Sequence, residues 1–511
     1  MSYAGLLETV GRINDVLNAY SILNWDARVM MPPGGSETRG KQLATLAVIA
    51  QSMIVSDDMR RQLDAAERET AGLAEGSVER GMVAQVREAV GYHSRIPAEL
   101  LRQKTELGSV GQEIWATARA NSDFKSFAPT LEKMVEINRQ IAEAIGYKAH
   151  PYDALMYRFE PGETAASLTV LFDKLKAAII PLVRAIGQKQ QPRADFLERS
   201  YPEAAQLGFA VDMAKVIGYD FNRGRLDTTV HPFEVSFTRN DVRITTRFNK
   251  SHMPMSLFGA LHEAGHGLYE QNVDPAYTRT PFATDLVGLY AVGGVSFGAH
   301  ESQSRLWENH VGRSPEFWAQ HFPAIRAAYP EQLKDVDEAA FVRAINRSRP
   351  SLIRVEADEL TYDLHIMLRV DIERQLVEGS LKVKDLPEAW NAKIKEYLGL
   401  DVPNDAMGVL QDVHWSSGQI GTFCNYTIGN VMAGQLYAKA RETPAIASAA
   451  KAGNFAPLRA WLTENILQHG RRYTRDELLV RSTGRALDPA PYIAYLTSKY
   501  SEIYGPDRKG N

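Results

Sequence analysis

The segment Ser256 to Gln271 limits this chain most, because it sets His262-Glu263-Ala264-Gly265-His266 inside an apolar helical pattern. At about 100° per residue, Leu257, Leu261, Ala264 and Leu268 form one apolar stripe. His262 and His266 fall on the opposite half, beside Phe258 and Tyr269. A helix that is apolar on both sides is buried, and buried imidazoles need partners. Histidines four residues apart lie one turn apart on the same face, so both reach a single ion. Glu263 is offset from that face; it cannot ligate with them, but it reaches a water held by the metal. The metal lowers the pKa of that water and the carboxylate takes its proton as attack begins, which is what hydrolysis requires. Gly259, Gly265 and Gly267 each cost about 1 kcal/mol relative to Ala in a helix. Three of them in one helix predict a close approach, by a neighbouring helix or by substrate.

The remaining ligand is less local. No Gly-x-x-His follows His266 at short range, which argues against the three-histidine metal helices. A carboxylate from a second helix is the alternative, with Glu270, Asp274, Asp285, Glu301 and Glu308 as candidates. Glu270 is one turn beyond His266 on the same helix and reads as a support for the ligands. Glu301 and Glu308 share a polar helical segment with His300, and spacing alone leaves both open.

The rest of the sequence excludes more than it assigns. A formal charge of -4 over 511 residues lacks the basic footprint of a nucleic-acid binder. No apolar run approaches the roughly 18 residues that span a bilayer. The opening Met1-Ser2-Tyr3-Ala4-Gly5-Leu6-Leu7-Glu8 has no basic region ahead of an apolar core, so no secretory signal is expected. Cys424 is the single cysteine and excludes an intrachain disulfide. Together these features point to a reducing cytoplasm. Cys424 itself reads as a small buried residue rather than a nucleophile. With no repeat and no linker, one domain is expected across 1–511.

Most of the chain reads as helix: Tyr3 to Leu23, Glu37 to Ser52, and runs near 60–95, 97–119, 126–146, 163–188, 314–328, 356–378 and 386–398. Thr228 to Phe248 differs. It alternates on either side of Arg239-Asn240-Asp241, a β-hairpin signal. The expected fold is therefore large and mostly α, with one small sheet just before the metal helix.

Motifs along nearly the whole chain resemble those of the carboxypeptidase Taq family of zinc metallocarboxypeptidases. Leu23-Asn24-Trp25-Asp26 and Val29-Met30-Met31-Pro32-Pro33-Gly34-Gly35 open the resemblance. His231-Pro232-Phe233, Asp241-Val242-Arg243-Ile244-Thr245, His262 to His266 and His300-Glu301-Ser302-Gln303-Ser304 continue it. Ile353-Arg354-Val355-Glu356-Ala357-Asp358-Glu359 and Gly408 to Trp415 complete it. The resemblance implies a zincin-like, neurolysin-like helical fold with a deep central cleft. It also implies Glu301 as the third ligand of a Zn2+ ion, with Co2+ as a substitute, and a cytoplasmic homodimer. The implied reaction is removal of single residues, with broad preference, from peptides with a free C-terminus.

Within that frame, His414 and Tyr426 are the candidate donors to a developing oxyanion. Arg354 is the candidate clamp for the substrate carboxylate, because a guanidinium offers a planar two-pronged donor set. An ion pair with Glu356, Asp358 or Glu359 is its structural alternative. Arg243 is a reserve for the clamp or a brace for the hairpin, and His231 is placed beside the substrate rather than on the metal. An endo-acting oligopeptidase on the same fold, or a non-catalytic zinc protein that binds peptides, are the competing functions. Glu263 argues against the second, since a structural zinc site fills its fourth position with protein.

Two departures from the family stand out. His262 and Glu301 are 39 positions apart, longer than the family's usual spacing, and the extra residues fall in the Gly-rich stretch 285–298. That stretch reads equally as a mobile lid or as inert surface. Thr422 and Cys424 also replace the Tyr and Pro that relatives carry ahead of Tyr426.

Overall fold

The computed structural model describes residues 2–505. Helices dominate, and their ends follow local chemistry. The first, Tyr3–Val29, starts where the Ser2 side chain accepts the Gly5 N–H, buries Leu6, Val10, Ile13 and Leu17, and runs six residues past its expected end. The expected runs at 97–119, 126–146, 163–188, 314–328, 356–378 and 386–398 are the helices Ala98–Asn121, Phe124–Ile145, Ala165–Gly187, Pro315–Ala328, Glu359–Glu378 and Leu386–Leu398. The run expected at 60–95 is two helices, Asp57–Thr70 and Val78–Arg95, parted by a turn that contains Gly72 and Gly76. No helix among the described residues is long and apolar enough to cross a membrane.

The hairpin forms as expected. Strands β2 (Glu234–Thr238) and β3 (Asp241–Thr246) pair antiparallel around Arg239 and Asn240. A third strand, β1 (Gly224–Thr228), was not expected; it pairs parallel with β3 and gives the order β1-β3-β2. A parallel partner needs no tight turn, so it leaves no local signature.

The chain forms two compact units. The first comprises the residues up to Ser94, Pro192–Ile345 and Met432–Asp488. Its helix Pro254–Gln271 packs on β2 and β3, and its core includes Leu257, Leu261, Ala264, Leu268, Trp307 and Trp318. A Cβ at Gly265 would lie 2.6 Å from the Gln303 carbonyl oxygen, and one at Gly267 would lie 2.6 Å from the Tyr219 ring. The close approach predicted by these glycines is therefore made by neighbouring elements of the protein.

The second unit comprises Arg95–Gln191, Asn346–Val431 and residues 489–505. Helices Ala98–Asn121 and Phe124–Ile145 pair across a turn in which Ser122 has φ 53°. Asp358 caps the buried helix Glu359–Glu378 by accepting the N–H groups of Leu360 and Thr361. Cys424 is buried, as expected.

Glu373, on that helix, accepts hydrogen bonds from Tyr152 Oη (2.6 Å), Trp415 Nε1 (2.8 Å) and the Gly421 N–H (3.0 Å). Burial nonetheless pushes its carboxyl up to about 7, with those three donors pulling the other way. A carboxyl whose folded pKa exceeds its unfolded value favours folding most in acid. That contribution is whole below about pH 4.5 and is lost as pH rises through about 7. Glu373→Gln mimics the protonated form, so its Tm should gain on the wild type between about pH 4.5 and 7.5. A Tm difference that stays constant across that window would mean the carboxyl is ionised throughout.

Candidate active site

Helix Pro254–Gln271 carries His262 and His266 on one face, with ring centroids 5.0 Å apart. Helix Phe297–Arg305 crosses it at Gly265 and brings in Glu301. Glu301 Oε2 lies 3.2 Å from His266 Nε2 and 3.6 Å from His262 Nε2. One atom from each of the three residues lies within 4.8 Å of the others. The spacing of Glu301 and Glu308 left two candidates; the structure gives them different positions. Glu308 contacts the far side of His262, at Nδ1, 2.9 Å away.

The orientation of each group suits a metal. With Nδ1 of His262 turned to Glu308 and Nδ1 of His266 turned to His300 (2.6 Å), both Nε2 atoms face Glu301. Two imidazoles and a carboxylate, each held from behind, are a donor set that fits a divalent zinc-like ion and leaves a position open. Arg305 Nε donates to Glu301 Oε1 at 2.7 Å, and Arg305 and Arg313 both reach Glu308. Burial would raise the Glu301 carboxyl, but Arg305, His262 and His266 outweigh it and hold it well below the usual range. Burial lowers His266 to about 3, so it stays neutral and able to ligate.

Glu263 is buried beside this cluster. Burial pushes its carboxyl up to about 7; His262 and Arg28 draw it down, while Glu301 and Glu308 add to the rise. Arg28 reaches this region from the first helix. Its guanidinium stacks 3.5 Å from the Phe233 ring centroid, and Nη2 donates to the His231 carbonyl.

Sequence reasoning missed Arg28, Arg305 and Arg313. Arg305 had a signal, the Glu-x-x-x-Arg spacing from Glu301 on one helix; Arg28 had none. Of the other residues chosen from sequence, His231 is exposed, and its carbonyl accepts from Arg28 Nη2. Arg243 commits both prongs to Asp241, each at 2.9 Å, and lies against Trp25 and Phe237, as a brace for the hairpin would.

Arg354, His414 and Tyr426 come together in the second unit. The Arg354 guanidinium lies 5.6 Å from the Phe423 ring and 5.5 Å from the Tyr426 ring, and His414 packs on Phe423 at 4.6 Å. Burial and Arg354 lower the His414 pKa to about 4. The ion pair weighed for Arg354 exists, but with a different partner. Its Nε donates to Asp412 (2.9 Å), not to Glu356, Asp358 or Glu359. Asp358 is engaged as the helix cap, and Glu359 is held by Lys499 and Tyr495.

Residues 5–500 match the family described as Carboxypeptidase Taq (M32) metallopeptidase. The chain belongs to the M32 carboxypeptidase family. It is 38% identical to Carboxypeptidase 1 of Bacillus subtilis, covering 96% of this chain and 97% of that one. It is 36% identical to Thermostable carboxypeptidase 1 of Thermus thermophilus, with 99% of each covered. The crystal structure of the M32 carboxypeptidase of Deinococcus radiodurans superposes with a TM-score of 0.94 at 40% identity, over 99% of each chain. This M32 carboxypeptidase is thus a metal-dependent peptide hydrolase with a mostly helical fold.

The Gly-rich stretch 285–298 is packed into the protein rather than left as inert surface. Asp285, Leu286, Ala291 and Val295 are buried, and Arg471 ties the stretch down by an ion pair to Asp285 (3.2 Å) and a hydrogen bond to the Gly294 carbonyl.

Proposed function

We propose that His262, His266 and Glu301 hold a zinc ion, replaceable by cobalt, and that Glu263 is the general base of a carboxypeptidase acting on peptides with a free C-terminus. The convergence of three ligand atoms within 4.8 Å, beside a buried fourth carboxyl, carries this reading. When bound, zinc supplies a Lewis acid that favours ionisation of water and polarises the scissile carbonyl. Glu263 takes the proton of the attacking water and passes it to the leaving amine. Arg305 keeps Glu301 ionised and in place, and Glu308 fixes the His262 ring. His414 and Tyr426 donate to the developing oxyanion. In this reading residues 1–511 act as one cytoplasmic metallocarboxypeptidase domain that pairs as a homodimer; its lone cysteine suits a reducing compartment.

Arg354 is assigned the substrate carboxylate, and charge balance supports that choice. Asp412 accepts from Arg354 Nε at 2.9 Å and from Arg369 Nε at 2.6 Å, so one buried carboxylate serves two buried guanidiniums. Arg369 spends its remaining donors on the His365 carbonyl and Gln411. Arg354 gives Nη1 to Tyr362, and among the described residues its Nη2 has no hydrogen-bond partner. A second carboxylate, from the substrate, would complete the pairing.

Wild-type enzyme should hydrolyse free-acid peptides and leave their C-terminal amides nearly untouched. Arg354→Ala should lose about 2–5 kcal/mol of transition-state binding for free acids, with metal content unchanged. Arg354→Lys should recover little, because an ammonium lacks the planar fork. Equal kcat/KM for acid and amide in the wild type would favour the endo-acting oligopeptidase. Near-normal free-acid kcat/KM in a stable Arg354→Ala would remove Arg354 from the clamp.

A further inference from the structure

Behind His266 stands a chain of contacts that the hydrolytic step does not use. His266 Nδ1 lies 2.6 Å from His300 Nδ1, and His300 Nε2 lies 2.9 Å from Glu270 Oε1. Glu270 in turn accepts the backbone N–H of Gly293 (2.9 Å to Oε2) and of Gly294 (3.1 Å to Oε1). Those N–H groups belong to the Gly-rich stretch that Arg471 fastens down.

The direction of each hydrogen bond follows from the far end. Backbone N–H groups only donate, so the Glu270 oxygens accept. The proton between Glu270 and His300 therefore sits on His300 Nε2. A neutral imidazole protonated there has its lone pair at Nδ1. His300 Nδ1 then accepts, and the proton in the short contact belongs to His266 Nδ1. That leaves the His266 lone pair at Nε2, the atom that faces Glu301 and the metal position.

The His300 ring is held in the orientation this requires. Tyr269 stacks on it with an interplanar angle of 1° and a centroid separation of 5.3 Å. Gly294 closes in as well, and a Cβ there would lie 2.4 Å from His300 Cδ2. A Cβ at Gly293 would lie 2.5 Å from Val273 Cγ2 and 3.4 Å from Glu270 Oε2. Glycine at both positions is what lets the backbone come near enough to donate to Glu270.

We propose that Glu270 and His300 are positioning residues that set the tautomer of His266 for metal binding, and that the stretch 285–298 is the brace that holds them. The inference rests on His266 being a metal ligand, as argued under Proposed function. Ligand histidines are commonly fixed by an acceptor at the other ring nitrogen, and losing such a partner costs about 10–100-fold in metal affinity. Here the acceptor is a second histidine, itself set by a carboxylate and two backbone amides from a separate segment.

The test measures zinc affinity of the full chain by chelator competition, together with the Tm of the metal-free protein. His300→Phe keeps an aromatic ring beside Tyr269 and Gly294 but offers no acceptor; zinc affinity should fall about 10–100-fold while the metal-free Tm barely moves. His300→Gln restores an acceptor oxygen and should recover part of the loss. Glu270→Gln leaves every histidine in place but sets an amide against the two glycine N–H groups; it should weaken zinc in the same range. It decides the matter if His300→Phe does not fold. Folded His300→Phe or Glu270→Gln protein with zinc affinity within about threefold of wild type would overturn the relay. His266→Ala is the separate control. If it retains wild-type zinc affinity, the ligand assignment fails; if it loses zinc while the other variants do not, only the relay fails.

Discussion

Glu263→Gln should retain its full complement of metal and lose about 10²–10⁴-fold in kcat. The substitution is nearly isosteric and touches no ligand. Glu263 lies off the face that carries His262 and His266, so removing its charge leaves the donor set intact. What disappears is the capacity to accept a proton. Burial holds this carboxyl near 7, where a base can both take a proton at neutral pH and return it to the amine. An amide can do neither. Metal-to-protein ratio and single-turnover hydrolysis, measured on one preparation, separate the effects. Activity within tenfold of wild type would end the general-base assignment, and loss of metal would mean that Glu263 supports the ligands instead.

Glu301→Ala should lose metal far more completely than Glu308→Ala. Glu301 presents Oε2 to both His262 and His266, so its removal deletes a ligand and one ion pair of Arg305, whose Nε donates to Oε1 at 2.7 Å. Of the two histidines Glu308 touches only His262, at its rear. Its loss frees the ring tautomer and removes the ion pair to Arg313, which should cost about 10–100-fold in affinity without removing a ligand. Dialysis of both variants against a graded chelator series would show the order. Equal retention would mean that the assignment of Glu301 over Glu308 is wrong.

What the sequence disclosed depended on range. His262, Glu263 and His266 lie within one helical turn and a little more, so their spacing alone predicted their geometry. Glu301 is 39 positions away, and only the resemblance to a family separated it from Glu308. The hairpin β2–β3 was visible because it is local, whereas β1 was hidden by its parallel pairing. The helix Cys424–Arg441 was also missed. It is buried along nearly its whole length and contains Gly429 and Gly434, so it shows no polar face from which a period could be read. The packing of the stretch 285–298 was illegible for a related reason. Glycines that permit a close approach to Glu270 and His300 have the same composition as glycines that permit motion, and only the partners tell them apart.

Arg471 gives the order of synthesis a consequence. The guanidinium that fastens Asp285 and Gly294 is encoded 170 residues after Glu301. At about 5–20 residues per second, the ligands leave the ribosome roughly 10–30 seconds before their brace. During that interval a nascent chain carries every metal donor but not the clamp on the segment that orients one of them. If the proposed brace holds, such a chain would bind its metal weakly, and loading would wait until translation is almost finished.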